Sequence, residues 1–138
     1  MLEQIVNSST MDYLSRGLNA ANLRHEVISD NIANVNTPNF KKSDVVFENL
    51  LAKELYGDAS GHMALVRTND RHLPISHGDG RVSAAVERQG TTTMRTDNNN
   101  VDIDVEMANM AKNQIYYNAM AKELSSYIMR VKNAISSK

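Results

Sequence analysis

A chain of 138 residues and 15.4 kDa holds one small domain or a pair of long helices with a connector, which excludes a multidomain enzyme. Lys and Arg number 15 against 16 Asp and Glu, a net charge of -1, so the basic excess that binds a phosphate backbone is missing and nucleic acid is not an expected partner. With no Cys, no Trp and 5% aromatics, the chain lacks disulfides and thiolate chemistry and has little bulk to fill a globular core.

The opening stretch MLEQIVNSSTMDYLSRG has no basic n-region and no unbroken apolar run, so it reads as neither a cleaved signal peptide nor a membrane span, and any export is expected to proceed without cleavage. Apolar residues then recur in steps of three and four at Met11, Leu14, Leu18, Ala21, Ile28, Ile32 and Val35, with His25 in the one missing place. This heptad stripe predicts a helix from about Met11, capped by Ser9 or Thr10. Pro38 biases Thr37 away from the helical region, so the helix is expected to end near Val35. Gly17 inside it is either a tolerated weakness of up to about 1 kcal/mol or a place of close helix approach. Residues 41–56 carry Val45, Val46, Phe47, Leu50, Leu51 and Leu55 beside Lys53 and Glu54, the pattern of a short amphipathic helix.

From 57 to 100 the chain is polar and holds five of the six glycines. Short strands are expected around 64–67, 82–87 and 91–95. The C-terminal stripe runs Ile103, Met107, Met110, Tyr117, Ala121, Leu124, Ile128, Val131 and Ile135, interrupted by Gln114, with Asp102 or Asp104 as the helix cap. The predicted fold is therefore mainly α: long N- and C-terminal helices pairing as a coiled-coil-like bundle, with a short helix and a Gly-rich, partly β or disordered central segment. Residues 1–40, 41–98 and 99–138 form its three parts and one structural unit. Two seams with little aromatic bulk are marginal in a lone chain and would be completed by packing between subunits. Leu14, Leu18, Ala21, Ile28 and Ile32, with Met107, Met110, Tyr117, Leu124, Ile128 and Val131, are the expected assembly interface.

His62, His72, His77, Asp70 and Asp79 have side chains that suit zinc or non-haem iron, and they carry the rival reading of a small metal-dependent enzyme. Their spacing matches no rigid motif, and polar residues in a Gly-rich loop are more often solvated, so no metal or cofactor is expected. No Ser stands in a strand-to-helix nucleophile elbow, and no Gly-rich loop joins a strand to a helix, so neither hydrolysis nor a nucleotide or other small-molecule substrate has support. His25 in the stripe could titrate near neutral pH, but a polar residue at one seam position more commonly fixes register, and Gln114 takes the same reading.

The segment SDNIANVNTPNFKK, Ser29 to Lys42, has no generic packing explanation. It resembles the N-terminal signature of the bacterial flagellar rod and hook axial proteins, an ANxxTPGYK pattern. Asn31 lies just upstream; Ala33, Asn34, Thr37, Pro38 and Lys41 match, while Asn39 and Phe40 stand where Gly and Tyr are usual. Asn is the non-Gly residue that best tolerates a left-handed backbone, and Phe keeps the ring without the hydroxyl. The segment NNVDIDVEMANMAKNQIYYNAMA, Asn99 to Ala121, is similar to the C-terminal signature of the short rod members, NNVDxxxEMxxxAxNQxxY, through Asn100, Val101, Asp102, Glu106 and Met107. Larger members carry inserted domains for which residues 43–98 leave no room. The resemblance implies a non-enzymatic rod subunit at the cell-proximal end of the periplasmic drive shaft. Its implied partners are other rod subunits, basal-body ring or adaptor proteins and the flagellar type III export apparatus. A soluble helical adaptor or export chaperone is the other alternative.

Overall fold

The computed structural model describes residues 9–56 and 83–136. Helix α1 spans Ser9–Ala33, strand β1 Ser43–Val46, helix α2 Glu48–Tyr56, strand β2 Ala85–Arg88 and helix α3 Ile103–Ser136. The fold is mainly helical, with α1 and α3 packed along each other and a two-stranded sheet at one end. Asn31 meets Glu106 at that end, and a Cβ at Gly17 would touch Met120 farther along. Both contacts are separated by the same number of residues in each helix, so the pair is antiparallel and in step.

Ser9 and Thr10 are already helical, so neither is the expected cap. Their modest propensity cost, about 0.5 kcal/mol each, is outweighed by continuation of the helix. At the other end α1 stops at Ala33, two residues before the expected Val35, and tightens into a turn in which Asn34 N donates to Asn31 O at 3.2 Å and Val35 N to Ile32 O at 3.2 Å. For α3, Asp102 rather than Asp104 is the cap: its Oδ1 accepts from Asp104 N at 3.0 Å and Val105 N at 3.3 Å.

The stretch expected as one short helix divides in two. Residues 43–46 pair antiparallel with 85–88, Ser43 opposite Arg88 and Val46 opposite Ala85, and the helix starts only at Glu48. The adjacent β-branched Val45 and Val46 suit a pleated strand, and Val45 is buried against α1 while its partner strand is exposed. The expected strand at 91–95 is absent. That segment is a loop whose Met94 and Arg95 amides both donate to Asn99 O at 3.1 Å, a turn bond that a ladder would have had to break. The expected strand at 64–67 lies outside the described residues, as do His62, His72, His77, Asp70 and Asp79.

The core is thin. Among the described residues its buried apolar members are Ala20, Ala21, Ile28, Val45, Phe47 and Val101. Burial of Ile28 contributes about 1.5 to 3 kcal/mol. The alanines let α3 approach closely but contribute little area of their own.

Candidate functional site

The seam between α1 and α3 uses a frame one residue away from the apolar stripe. Leu14, Ala21 and Ile28 face α3 as expected, but the places between them belong to Gly17, Arg24 and Asn31. On α3 the half-buried Met110, Tyr117, Leu124 and Val131 lie in the seam, and Glu106, Asn113, Met120 and Tyr127 fill the alternate places. His25 and Gln114 are exposed, so neither fixes the register of this pair. Met107, 54% exposed, and Ile128, 49% exposed, point away from it, while Leu18 and Ile32 are half-buried at its edge. The reason is chemical: the inner places are taken by side chains that make specific polar or close contacts, and the apolar residues beside them are left outside.

Those polar contacts start at Asn31, which is 1% exposed. Its Oδ1 accepts from Ser43 N at 3.0 Å, and its Nδ2 donates to Ser43 O at 2.9 Å and to Glu106 Oε2 at 3.1 Å. One amide therefore joins α1, β1 and α3. Lys42 Nζ stands 4.0 Å from Glu106 Oε1, giving the buried carboxylate a nearby positive charge, as a buried charge requires. Two turns along, Asn113 Nδ2 donates to Ala21 O at 2.9 Å.

The two signature segments meet directly beyond this point. Asn99 is fully buried, and its Nδ2 donates to Asn34 O, Val35 O and Thr37 O at 3.1, 3.1 and 2.9 Å. These carbonyls belong to the turn that follows α1, so the C-terminal signature pins the turn that the N-terminal signature forms. Asn99 Oδ1 accepts from Val101 N at 2.7 Å, which leads the chain to the Asp102 cap and α3. Asn100, buried beside it, accepts from Lys42 N at 2.7 Å and donates to Gln89 O at 2.9 Å and Thr92 Oγ1 at 3.0 Å. Lys41 Nζ donates to Thr92 O and Asn98 O, both at 2.8 Å.

Asn39, at the place where the family pattern has Gly, has φ 59°. It needs the left-handed backbone, and Asn supplies it at lower cost than other side-chained residues. Asn98 has φ 62°, and its Nδ2 donates to Asn39 Oδ1 at 3.2 Å. Asn39 N donates in turn to Asp97 O at 2.9 Å. Of the remaining motif residues, Thr37 donates to Asn34 Oδ1 at 3.2 Å, Val101 is buried, and Ala33 and Pro38 are exposed.

Beside the seam an open groove of about 880 Å³ is lined by Tyr13, Leu14, Val27, Leu51, Tyr116 and Met120 among others. Arg24 crosses its wall, with Nη2 2.7 Å from both carboxylate oxygens of Glu48 and 3.4 Å from Val45 O. Burial pushes the Glu48 carboxyl up, but the hydrogen bond from Arg24, the backbone bonds at residues 47 and 48 and the Arg24 charge together hold it below the ordinary value. Among the described residues no three His, Asp or Glu side chains gather as metal ligands, and no described helix is long and apolar enough to cross a membrane. The arrangement is a clasp of amides and a pair of helices of which α3 carries an apolar outer face.

Comparison with known proteins places both signatures in a longer match. The family described as flagella basal body rod protein matches residues 11–41. The chain is 34% identical over 129 residues to the flagellar basal body rod protein FlgB of Bacillus subtilis strain 168, covering 94% of this chain and 95% of that one. It is 33% identical to FlgB of Borreliella burgdorferi, with 88% and 92% covered, and 28% identical to FlgB of Escherichia coli K12, with 99% of both covered.

Proposed function

The chain belongs to the FlgB family of flagellar basal body rod proteins, and on that premise we propose that it is a structural, non-catalytic subunit of the rod, acting by assembly. The observation that carries the reading is the division of labour between its two kinds of surface. The amide clasp and the polar seam hold α1, β1 and α3 together within one subunit. Apolar side chains that a lone soluble chain would bury, Ile115, Met129 and Ile135 among them, lie on the outside of α3. Exposed apolar stripes of this kind serve contacts with other chains. Neighbouring rod subunits supply those contacts in this reading, by heterologous packing that builds a tube rather than a closed dimer.

The finer reading is a place at the cell-proximal end of the rod, in the periplasm, reached through the flagellar type III apparatus without a cleaved signal. Its neighbours there are further rod subunits and ring or adaptor proteins of the basal body. Leu14, Leu18, Ala21, Ile28 and Ile32 with Met107, Met110, Tyr117, Leu124, Ile128 and Val131 are the side chains on which assembly depends. Some of them act through the intrachain seam, and the exposed ones act at neighbours.

The test is a deletion of the gene with complementation by a tagged chain. Cells lacking it are expected to be non-motile without a rod, and the tag is expected in purified basal bodies near their membrane end. A tag found only in the cytoplasmic fraction of motile complemented cells would refute the structural reading and favour a soluble adaptor.

A further inference from the structure

We propose that Asn31, Glu106 and Asn113 select which of two available faces the helices use to pair, acting as a frame lock rather than as mere buried polar residues. The choice exists because two heptad frames overlap. Both include Leu14, Ala21 and Ile28 on α1 and Met110, Tyr117, Leu124 and Val131 on α3. They differ at the alternate places, which are neighbouring residues about 100° apart round the helix. One frame adds Met11, Leu18, His25 and Ile32 to Met107, Gln114, Ala121 and Ile128. The other adds Thr10, Gly17, Arg24 and Asn31 to Glu106, Asn113, Met120 and Tyr127.

Apolar burial alone favours the first frame, because it would bury two leucine-class side chains on α1 and Met107 with Ile128 on α3. The protein adopts the second, in which Met107 and Ile128 are about half exposed. Something other than apolar area decides, and the contacts unique to the second frame identify it. Gly17 lets α3 approach until a Cβ at that place would lie 2.9 Å from Met120 Sδ. Asn113 reaches a backbone carbonyl of the partner helix, Ala21 O. Asn31 satisfies both Ser43 backbone groups and still donates to Glu106.

The last contact carries the most weight. Strand β1 pairs with β2 along one edge, and on its other edge the Asn31 amide takes the place of a third strand at Ser43. Turning α1 into the apolar frame would remove that partner from both groups at once, and unpaired backbone groups beside a core are costly. A single polar side chain at a seam position is known to set helix register at some cost in stability, and here three of them act on one choice.

Disulfide trapping in the full chain tests this, since it has no Cys of its own. The pair Gly17→Cys with Met120→Cys reports the observed frame, and Leu18→Cys with Ala121→Cys reports the other. In the otherwise native chain the 17–120 pair is expected to oxidise and the 18–121 pair to stay reduced. With Asn31→Leu, Glu106→Leu and Asn113→Leu combined, the ratio of 18–121 to 17–120 bonds is expected to rise at least tenfold. An unchanged ratio in a helical triple variant would overturn the proposal. If circular dichroism shows the triple variant unfolded, Glu106→Gln and Glu106→Leu decide. The first, which still accepts from Asn31, must keep the native ratio while the second raises it severalfold; equal ratios would overturn the lock.

Discussion

Asn99 shows how much a single residue can hold: it bonds three carbonyls in the turn after α1 and the Val101 amide, with no solvent access. Replacing it with Ala takes the acceptor from the buried Val101 amide and leaves each of the three carbonyls with one donor fewer, though Asn34 O keeps Thr37 N, Val35 O keeps Arg95 and Thr37 O keeps Phe40 N. The expected loss is about 1 to 3 kcal/mol of unfolding free energy. Asn99→Asp should cost more, because a carboxylate cannot donate to those carbonyls and faces their negative ends. Urea midpoints of both variants, with hydrogen exchange at residues 31–37, check the order. A second residue-scale prediction concerns Glu48, whose carboxyl is held below its ordinary value chiefly because bonds and charge from Arg24 outweigh burial. A lowered folded pKa stabilises at pH above the unfolded value and is lost as pH falls through the folded one. With the Glu48 side chain 66% exposed, the pair contributes only a few tenths of a kcal/mol. The stability difference between the native chain and Glu48→Gln should therefore be small at neutral pH and shrink further as pH falls through the lowered Glu48 value. A difference that grows on acidification would reverse the assignment. The need for a left-handed backbone at Asn39 was legible beforehand, because only the departure from Gly at a turn position was required to see it. Asn99 as the pin of the turn after α1 was not legible, since its three acceptors lie more than sixty residues away in the chain.

At the scale of elements, Gly17 separates helix propensity from packing. An Ala there gains about 1 kcal/mol of propensity, and its Cβ meets only the flexible end of Met120 at 2.9 Å. Gly17→Ala is thus expected to be neutral or slightly stabilising in thermal unfolding. Gly17→Leu should cost about 1 to 3 kcal/mol by overpacking, and Met120→Ala should recover part of it. Full stability in Gly17→Leu alone would show that the helices are not in close approach there. The two long helices and their pairing could be read from periodicity, and a cap at Asp102 or Asp104 from turn chemistry; the antiparallel sense and the choice of Asp102 rest on contacts that only the fold supplies. The seam could be read only by half, because periodicity ranks positions by apolar content, whereas the inner frame at Gly17, Asn31, Glu106 and Asn113 is chosen by hydrogen bonds and close approach. A weak signal did exist: Gly17, Arg24 and Asn31 recur every seven residues, as do Glu106, Asn113 and Met120. The β1 strand was hidden for a related reason. Four residues between a turn and a helix carry too little pattern, and the Ser43–Arg88 register that defines the strand depends on a segment forty residues on.

Over the whole molecule, the described core is too thin to account for the apolar content of α3. Ile115 is 69% exposed and Met129 61% exposed, and a spacing of four turns puts both on one stripe outside the seam. Leu124, in contrast, is half-buried in the pairing face. These positions make distinct predictions. Ile115→Glu combined with Met129→Glu removes little packing within the described chain, so the purified chain should unfold within about 0.5 kcal/mol of the native one, as surface changes do. The same variant should abolish motility, because two carboxylates would have to be desolvated at contacts between subunits. Leu124→Asp places a carboxylate in the seam itself and should lower the stability of the isolated chain by several kcal/mol, with loss of motility as a consequence of misfolding. Thermal unfolding of the purified variants beside swimming assays of complemented cells distinguishes the two routes. If the Ile115 and Met129 variant swims normally, the outer stripe of α3 is not an assembly surface, and the contacts that build the rod must run through α1 and the groove beside Tyr13 and Leu51.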